Sequence, residues 1–119
     1  MEQNLLVTTR QQGKAWIIDL EGDITKTAET ELLTLQTWDQ GLPNNCSSLV
    51  LNFTAVTYIN SLGIAVLIRI VRALYKAGCH SFAFGINQHY KKLFRMVGLT
   101  DYMTIYENEY SIIERIEGL

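Results

Sequence analysis

The chain has 119 residues, which is the length of a single domain with a single hydrophobic core. Its hydrophobic fraction of 48% and its charged fraction of 18% exclude an intrinsically disordered protein. A net charge of -2 gives no positive field to attract a polyanion, so the composition argues against nucleic acid as a partner.

The N-terminus and the two cysteines indicate a cellular compartment. The chain begins Met-Glu-Gln-Asn, without a basic start, and no apolar run approaches the roughly 20 residues of a membrane span. We therefore expect a cytoplasmic protein without membrane insertion. Cys46 and Cys79 lack the spacing of a disulfide framework or a zinc site, which predicts two free thiols.

The chain opens with a predicted hairpin and a predicted helix. Residues 5–9 and 15–20 are β-prone runs separated by a polar stretch with Gly13, which predicts an antiparallel hairpin. From Thr25 the apolar residues recur at helical spacing, and segment 41–45, with its glycine and proline, ends this helix. The predicted apolar face holds Ala28, Leu32 and Leu35, with Trp38 near the same side.

The middle of the chain contains the predicted central strand and the strongest helix. Residues 48–53 form a compact apolar run, typical of a strand covered on both faces, although periodicity alone leaves a buried helix open. A helix that Gly78 closes follows, and Arg69, Arg72 and Lys76 hold its polar stripe. Its predicted apolar face consists of Ile64, Leu67, Ile68, Val71, Leu74 and Tyr75.

The same alternation continues to the C-terminus. Residues 81–84 predict a strand, and residues 88–97 predict a helix that begins after Asn87 and ends at Gly98. Residues 102–105 predict another strand, and residues 107–117 predict a last helix. Strand-helix alternation implies right-handed crossovers and a largely parallel sheet. We therefore predict a single α/β domain over residues 1–119, with a mixed sheet of about five strands and about four helices.

The link between the central strand and the strongest helix is the candidate functional site. Ligands of open α/β sheets gather beyond the carboxyl ends of strands, where residues 57–64 lie. Asn60 or Ser61 can cap the helix, and Gly63 allows another molecule to approach the backbone closely. The alternative is a capped helix with no further role, since Asn and Ser are common caps.

The segment 60–67, which reads NSLGIAVL, resembles the signature of the STAS family, which includes the anti-anti-sigma factors. In that family the helix after the third strand begins with Asp-Ser-small-Gly. Residues 20–24 are similar to the family's strand end before its first helix, and residues 94–99 to its late helix-Gly-Leu ending. The chain departs from the signature at Asn60, where the family has an acid, and at Leu62, where it has a small residue.

The resemblance implies a regulatory binding module whose partner is a kinase-like anti-sigma factor. That partner phosphorylates the serine at the position of Ser61, and the unmodified form binds it and so frees the sigma factor. A serine phosphatase is a further implied partner. Partner contact is expected through the Ser61 loop and the exposed side of the following helix. The predicted partner-binding residues are Asn60, Ser61, Leu62, Gly63, Asp23, Thr25 and Arg69.

Two alternatives remain. STAS-like domains also serve as constitutive subunits of lipid-transport complexes and stress-signalling scaffolds, without obligatory phosphorylation, and the departures at Asn60 and Leu62 keep this alternative open. A nucleotide could instead bind with its phosphate at the helix N-terminus near Ser61. We expect no enzyme, since no Gly-rich phosphate loop, nucleophile elbow or HExxH helix occurs, and we predict no cofactor.

Three alternating carboxylates, Asp19, Glu21 and Asp23, could bind a metal or act as acid and base, but a solvated strand face is the favoured interpretation. The two histidines, His80 and His89, have no ligand-type neighbour at a recognised spacing, so no metal site is predicted. Both tryptophans fit apolar positions of their own elements, which favours core packing over a role as interface anchors.

Overall fold

One five-stranded sheet, with its strands in chain order, forms the centre of the computed structural model, which describes residues 4–118. The strands are β1 (Leu6–Gln12), β2 (Ala15–Ile24), β3 (Ser48–Ile59), β4 (His80–Phe84) and β5 (Thr104–Ile105). The helices are α1 (Thr27–Leu33), α2 (Ser61–Lys76), α3 (Gln88–Met96) and α4 (Glu109–Glu117). β1 pairs antiparallel with β2, and all other neighbours are parallel. This confirms the predicted α/β fold and its N-terminal hairpin.

Helices cover both faces of the sheet. On one face, Leu49 and Leu51 of β3 belong to the large apolar cluster that contains residues of α1, α2 and α3. On the other face, Val50 packs in a smaller cluster with Ile112 and Ile116 of α4. Successive residues of β3 thus point to opposite, covered faces, which confirms the predicted central strand.

The hairpin is tied to α4 by an arginine. Arg10 Nε donates to Asp19 Oδ2 at 2.7 Å, and Arg10 Nη1 donates to Glu109 Oε2 at 2.9 Å. Asn52 Nδ2 also donates to Asp19, at 2.8 Å. These bonds, those from Arg10 above all, hold the pKa of the Asp19 carboxyl below its ordinary value. Asp19 is therefore part of a polar network that joins β1, β2, β3 and α4.

Strands β2 and β3 are both longer than the sequence predicts. β3 continues through five exposed or half-exposed residues to the buried Ile59, and β2 continues to Ile24. Their register shifts between Asp19 and Glu21 and again between Gly22 and Asp23. Such irregularities break the strict alternation on which strand prediction depends, so the apolar pattern ends before the strand does.

The first helix is shorter than predicted. α1 ends at Leu33, so Leu35 and Trp38 lie beyond it, and Trp38 begins a 3₁₀ turn (Trp38–Gln40). Trp38 Nε1 donates to the Leu32 carbonyl at 2.9 Å, and its ring centroid lies 5.8 Å from that of Trp16. The turn, rather than helical spacing, brings Trp38 into the core. Both tryptophans are buried, as predicted.

β1 ends at Gln12, three residues later than predicted, and the remaining boundaries differ by one or two residues. α3 ends at Met96, α4 begins after its cap Asn108, and β5 has only two residues. One apolar assignment in α2 is wrong, because the side chain of Tyr75 is 64% exposed near the end of the helix and packs edge-on against Tyr102. Among the described residues, no helix is long and apolar enough to cross a bilayer.

Candidate functional site

A single residue, Asn60, separates the end of β3 from the start of α2. Its backbone is extended, at φ -102° and ψ -180°, and its amide donates to the Ile24 carbonyl at 3.2 Å. Its side-chain Oδ1 accepts a hydrogen bond from the Gly63 amide at 2.9 Å. Asn60, not Ser61, is therefore the N-cap of α2.

Ser61 is the first residue of α2 and is exposed. Because Asn60 satisfies the Gly63 amide, the helix does not need the Ser61 hydroxyl as a cap. The next residue of α2, Leu62, exposes 54% of its surface. The two side chains form an accessible pair of one hydroxyl and one apolar group.

Gly63 is buried, and the structure corrects the role predicted for it. A Cβ atom at this position would lie 2.0 Å from the Ile24 carbonyl oxygen. The close backbone approach is thus made by β2 of the same chain, and another molecule has no room at Gly63. This glycine sets how closely α2 packs against the end of β2.

Two predicted partner-binding residues lie beneath the site rather than on it. Asp23 is 6% exposed and Thr25 is 3% exposed. The Thr57 hydroxyl donates to Asp23 Oδ1 at 2.6 Å, and this bond joins the C-terminal ends of β2 and β3. Asp23 is therefore not part of a solvated face, because the register shift after Gly22 turns it inward. Asp23 thus ties together the two strand ends beside the loop that presents Ser61.

The structure brings Leu62 and Arg69 together in one surface depression of about 170 Å³ between α1 and α2. The other residues that line it were not predicted as site residues: Lys26, Glu29, Leu33, Ala65 and Val66. Helical spacing from Leu62 to Ala65 and Arg69 was the available signal on α2. No comparable signal existed for α1, because only the tertiary fold places its exposed face beside α2.

The chemistry that this arrangement supports is display of a hydroxyl at a helix N-terminus. A phosphate on such a hydroxyl adds about -1.5 to -2 charges next to unpaired backbone amides, which favour a negative charge. No acid occupies the first turn of α2, so no like charge opposes the phosphate there. Within residues 4–118, no group of three His, Cys, Asp or Glu side chains is arranged to hold a metal ion.

Comparison with known proteins decides the family. A family model described as the STAS domain matches residues 7–112. The chain belongs to the STAS domain family. Its N-terminal hairpin, its mixed sheet and the helix that begins at Ser61 are all inside the matched region. A search of curated proteins finds no match.

Solved structures share this STAS fold at low sequence identity. The anti-sigma factor antagonist SpoIIAA in its unphosphorylated form matches with a TM-score of 0.74 and 19% identity, over 96% of this chain and 98% of its own. An anti-sigma factor antagonist from Mycobacterium paratuberculosis matches with a TM-score of 0.77 and 13% identity, over 96% and 95%. RsbS from Moorella thermoacetica matches with a TM-score of 0.73 and 20% identity, over 94% of this chain and 95% of its own. At these identities the likeness establishes the fold alone.

Proposed function

We propose that this STAS domain is a regulatory protein-interaction module of the anti-sigma factor antagonist type. It binds a kinase-like anti-sigma factor through the surface around Ser61, and phosphorylation of Ser61 weakens that binding. The module acts without catalysis of its own in the cytoplasm, and a serine phosphatase restores the unmodified form.

The observation that carries the proposal is the exposure of Ser61 at the first position of α2, next to a cap made by another side chain. Since Asn60 holds the helix start, Ser61 is free to change its chemistry without loss of the cap. The exposed Leu62 beside it supplies an apolar contact of the kind that anchors interfaces.

Charge explains how the proposed switch works without refolding. A helix N-terminus stabilises a negative group by roughly 0.3–1 kcal/mol, so the domain tolerates the phosphate. A docked partner must desolvate the same dianion, and a loss of about 3 kcal/mol weakens binding roughly a hundredfold. The SpoIIAA fold supports this view, because its phosphorylated form also matches this chain, with a TM-score of 0.70.

The direct test of the modification is a kinase reaction. The domain is mixed with a kinase-like anti-sigma factor from the same genome and ATP, and mass spectrometry locates the phosphate. We expect one phosphate on Ser61 and none on a Ser61→Ala variant. Ser111, exposed to a lesser degree at the start of α4, provides a matched control, since Ser111→Ala leaves the Ser61 site intact. A phosphate elsewhere on the chain contradicts the proposal.

A second candidate is a constitutive STAS subunit that docks through the same surface without phosphorylation. Two observations favour it: Asn60 places an amide rather than a carboxylate before the serine, and the side chain of Leu62 is large and exposed. Partner affinity distinguishes this candidate from the switch. If the subunit is constitutive, Ser61→Ala and Ser61→Asp leave the affinity unchanged, whereas Leu62→Ala weakens it.

A further inference from the structure

A long groove lies along α2 and shares Leu33, Ala65 and Arg69 with the depression beside Leu62. One wall consists of residues 33–39, which connect α1 to the 3₁₀ turn, and the other wall is the exposed face of α2 from Ala65 to Lys76. Two depressions of about 660 Å³ and about 500 Å³ lie side by side in it and share Asp39, Arg69 and Ala73. We call this feature the α2 groove.

The floor of the α2 groove contains apolar side chains, although Thr34, Gln36 and Thr37 add polar groups to the larger depression. Leu33, Leu35, Ile70 and Ala73 line the larger depression, and Ile68 lines the smaller one. Small side chains at Ala65 and Ala73 leave room above the helix surface. Because the smaller depression extends along α2 from Ala65 to Lys76, the shape fits an elongated apolar stripe better than a single compact ligand.

The rim of the α2 groove is positively charged. Arg69, Arg72 and Lys76 follow one another along the helix over about 10 Å, and α2 contains no acidic residue at all. None of the ion pairs among residues 4–118 uses these three cations. The one acid that lines either depression is Asp39. A domain with a net charge of -2 thus concentrates uncompensated positive charge along one groove.

From this floor and rim, we propose that the α2 groove binds an acidic amphipathic helix of a protein partner. The partner's apolar stripe lies on the floor, and its carboxylates face Arg69, Arg72 and Lys76. Two turns of α2 separate the first and last of these cations, so carboxylates spread over two turns of a docked helix can face all three. This inference goes beyond the Ser61 switch and does not require it, since the rim cations begin eight residues after Ser61.

The test uses a defined probe in place of the natural partner. A fluorescent helical peptide of about 14 residues, with leucines at i, i+3, i+4, i+7 and glutamates elsewhere, is titrated against the full chain. A second peptide has lysine at every glutamate position, and vesicles that contain an anionic phospholipid form a third arm. We expect saturable binding of the acidic peptide, with backbone NMR shifts confined to residues 33–39 and 65–76.

Variants decide whether the groove is responsible. The double substitution Arg72→Glu with Lys76→Glu should weaken binding of the acidic peptide by about tenfold, since two attractive pairs become repulsive. The matched control, Lys92→Glu with Arg95→Glu on the exposed side of α3, changes the net charge equally and should leave the affinity unchanged. Circular dichroism verifies that each variant is folded.

Several results would overturn the inference. The acidic peptide could fail to bind, or the lysine peptide could bind as tightly as the acidic one. The control variant could also lose as much affinity for the acidic peptide as the double variant does. Binding of the anionic vesicles alone would assign the groove to a membrane surface, and a concentration-dependent dimer that the double variant abolishes would assign it to a second copy of the chain. Either assignment contradicts an acidic helix as the occupant.

Discussion

The side chain of Asn60 accepts a hydrogen bond from the Gly63 amide at 2.9 Å, and this bond starts α2 without any help from Ser61. The structure therefore divides two tasks between neighbouring residues. Asn60 holds the helix, while Ser61 is left exposed at its first position. A modification of Ser61 then changes the charge of the surface and leaves the local fold in place.

The cap assignment predicts the stability of two variants at position 60. Asn60→Ala should lower the free energy of unfolding by about 1 kcal/mol, because the Gly63 amide loses its acceptor. Asn60→Asp keeps an acceptor and adds a negative charge at a helix N-terminus, so its free energy of unfolding should equal or exceed that of the wild type. Urea unfolding followed by circular dichroism measures both. Equal stability of Asn60→Ala and the wild type would contradict the assignment.

Gly63 offers a second test of the same junction. In Gly63→Ala the new Cβ would meet the Ile24 carbonyl, so α2 must move away from β2, at a cost of about 1–3 kcal/mol in the free energy of unfolding. Gly118→Ala is the matched control, since its Cβ would make only ordinary contacts at 3.6 Å. Thermal unfolding of the two variants should show a large decrease in melting temperature for Gly63→Ala alone. A neutral Gly63→Ala would show that the junction is looser than the structure describes.

The Arg10–Asp19 pair predicts part of the acid sensitivity of the fold. Hydrogen bonds from Arg10 lower the pKa of Asp19 in the folded state, while the unfolded chain has the ordinary value of about 3.9. The stabilisation is therefore present above that value and is lost as the pH falls through the lower folded-state pKa. Urea midpoints between about pH 2 and about pH 7 should fall less steeply on the acid side in Asp19→Asn than in the wild type. Glu31→Gln, on the exposed face of α1, is the control that should retain the wild-type slope.

The two thiols should react at different rates. Burial raises the pKa of the Cys46 thiol, so little of it is the reactive thiolate near neutral pH, and Cys79 is more accessible. With a thiol reagent at about pH 8, we expect Cys79 to be modified first and Cys46 only after local opening. Peptide mass spectrometry of the time course, with Cys79→Ser as control, measures the order. Faster modification of Cys46 would contradict the described packing of segment 41–46.

The sequence predicts the parts of this fold that rest on regular spacing. A compact apolar run identified β3 over residues 48–53, and helical spacing identified α2 and thereby the loop before it. The outer half of β3 was not predicted, because the register shifts opposite Gly22 and Asp23 bring polar residues into a strand. The same irregularity buries Asp23, which strict alternation places in solvent.

The candidate site was predictable on one side only. Ser61 and Leu62 follow from the helix start and from the family resemblance, and Arg69 shares their depression. Lys26 and Glu29 reach the same depression from α1, and the contact between those two helices is set by the tertiary packing of their buried faces against the sheet. Such long-range proximity has no local signature in the sequence.

The central claim is that a negative charge on Ser61 controls partner binding. The most direct measurement is the equilibrium affinity of a kinase-like anti-sigma factor for the unmodified domain and for the domain phosphorylated at Ser61, determined by calorimetry under identical conditions. The account predicts that phosphorylation weakens binding by about a hundredfold, while Ser61→Ala binds like the unmodified form. Equal affinities of the two forms for a partner that does bind the domain would contradict it.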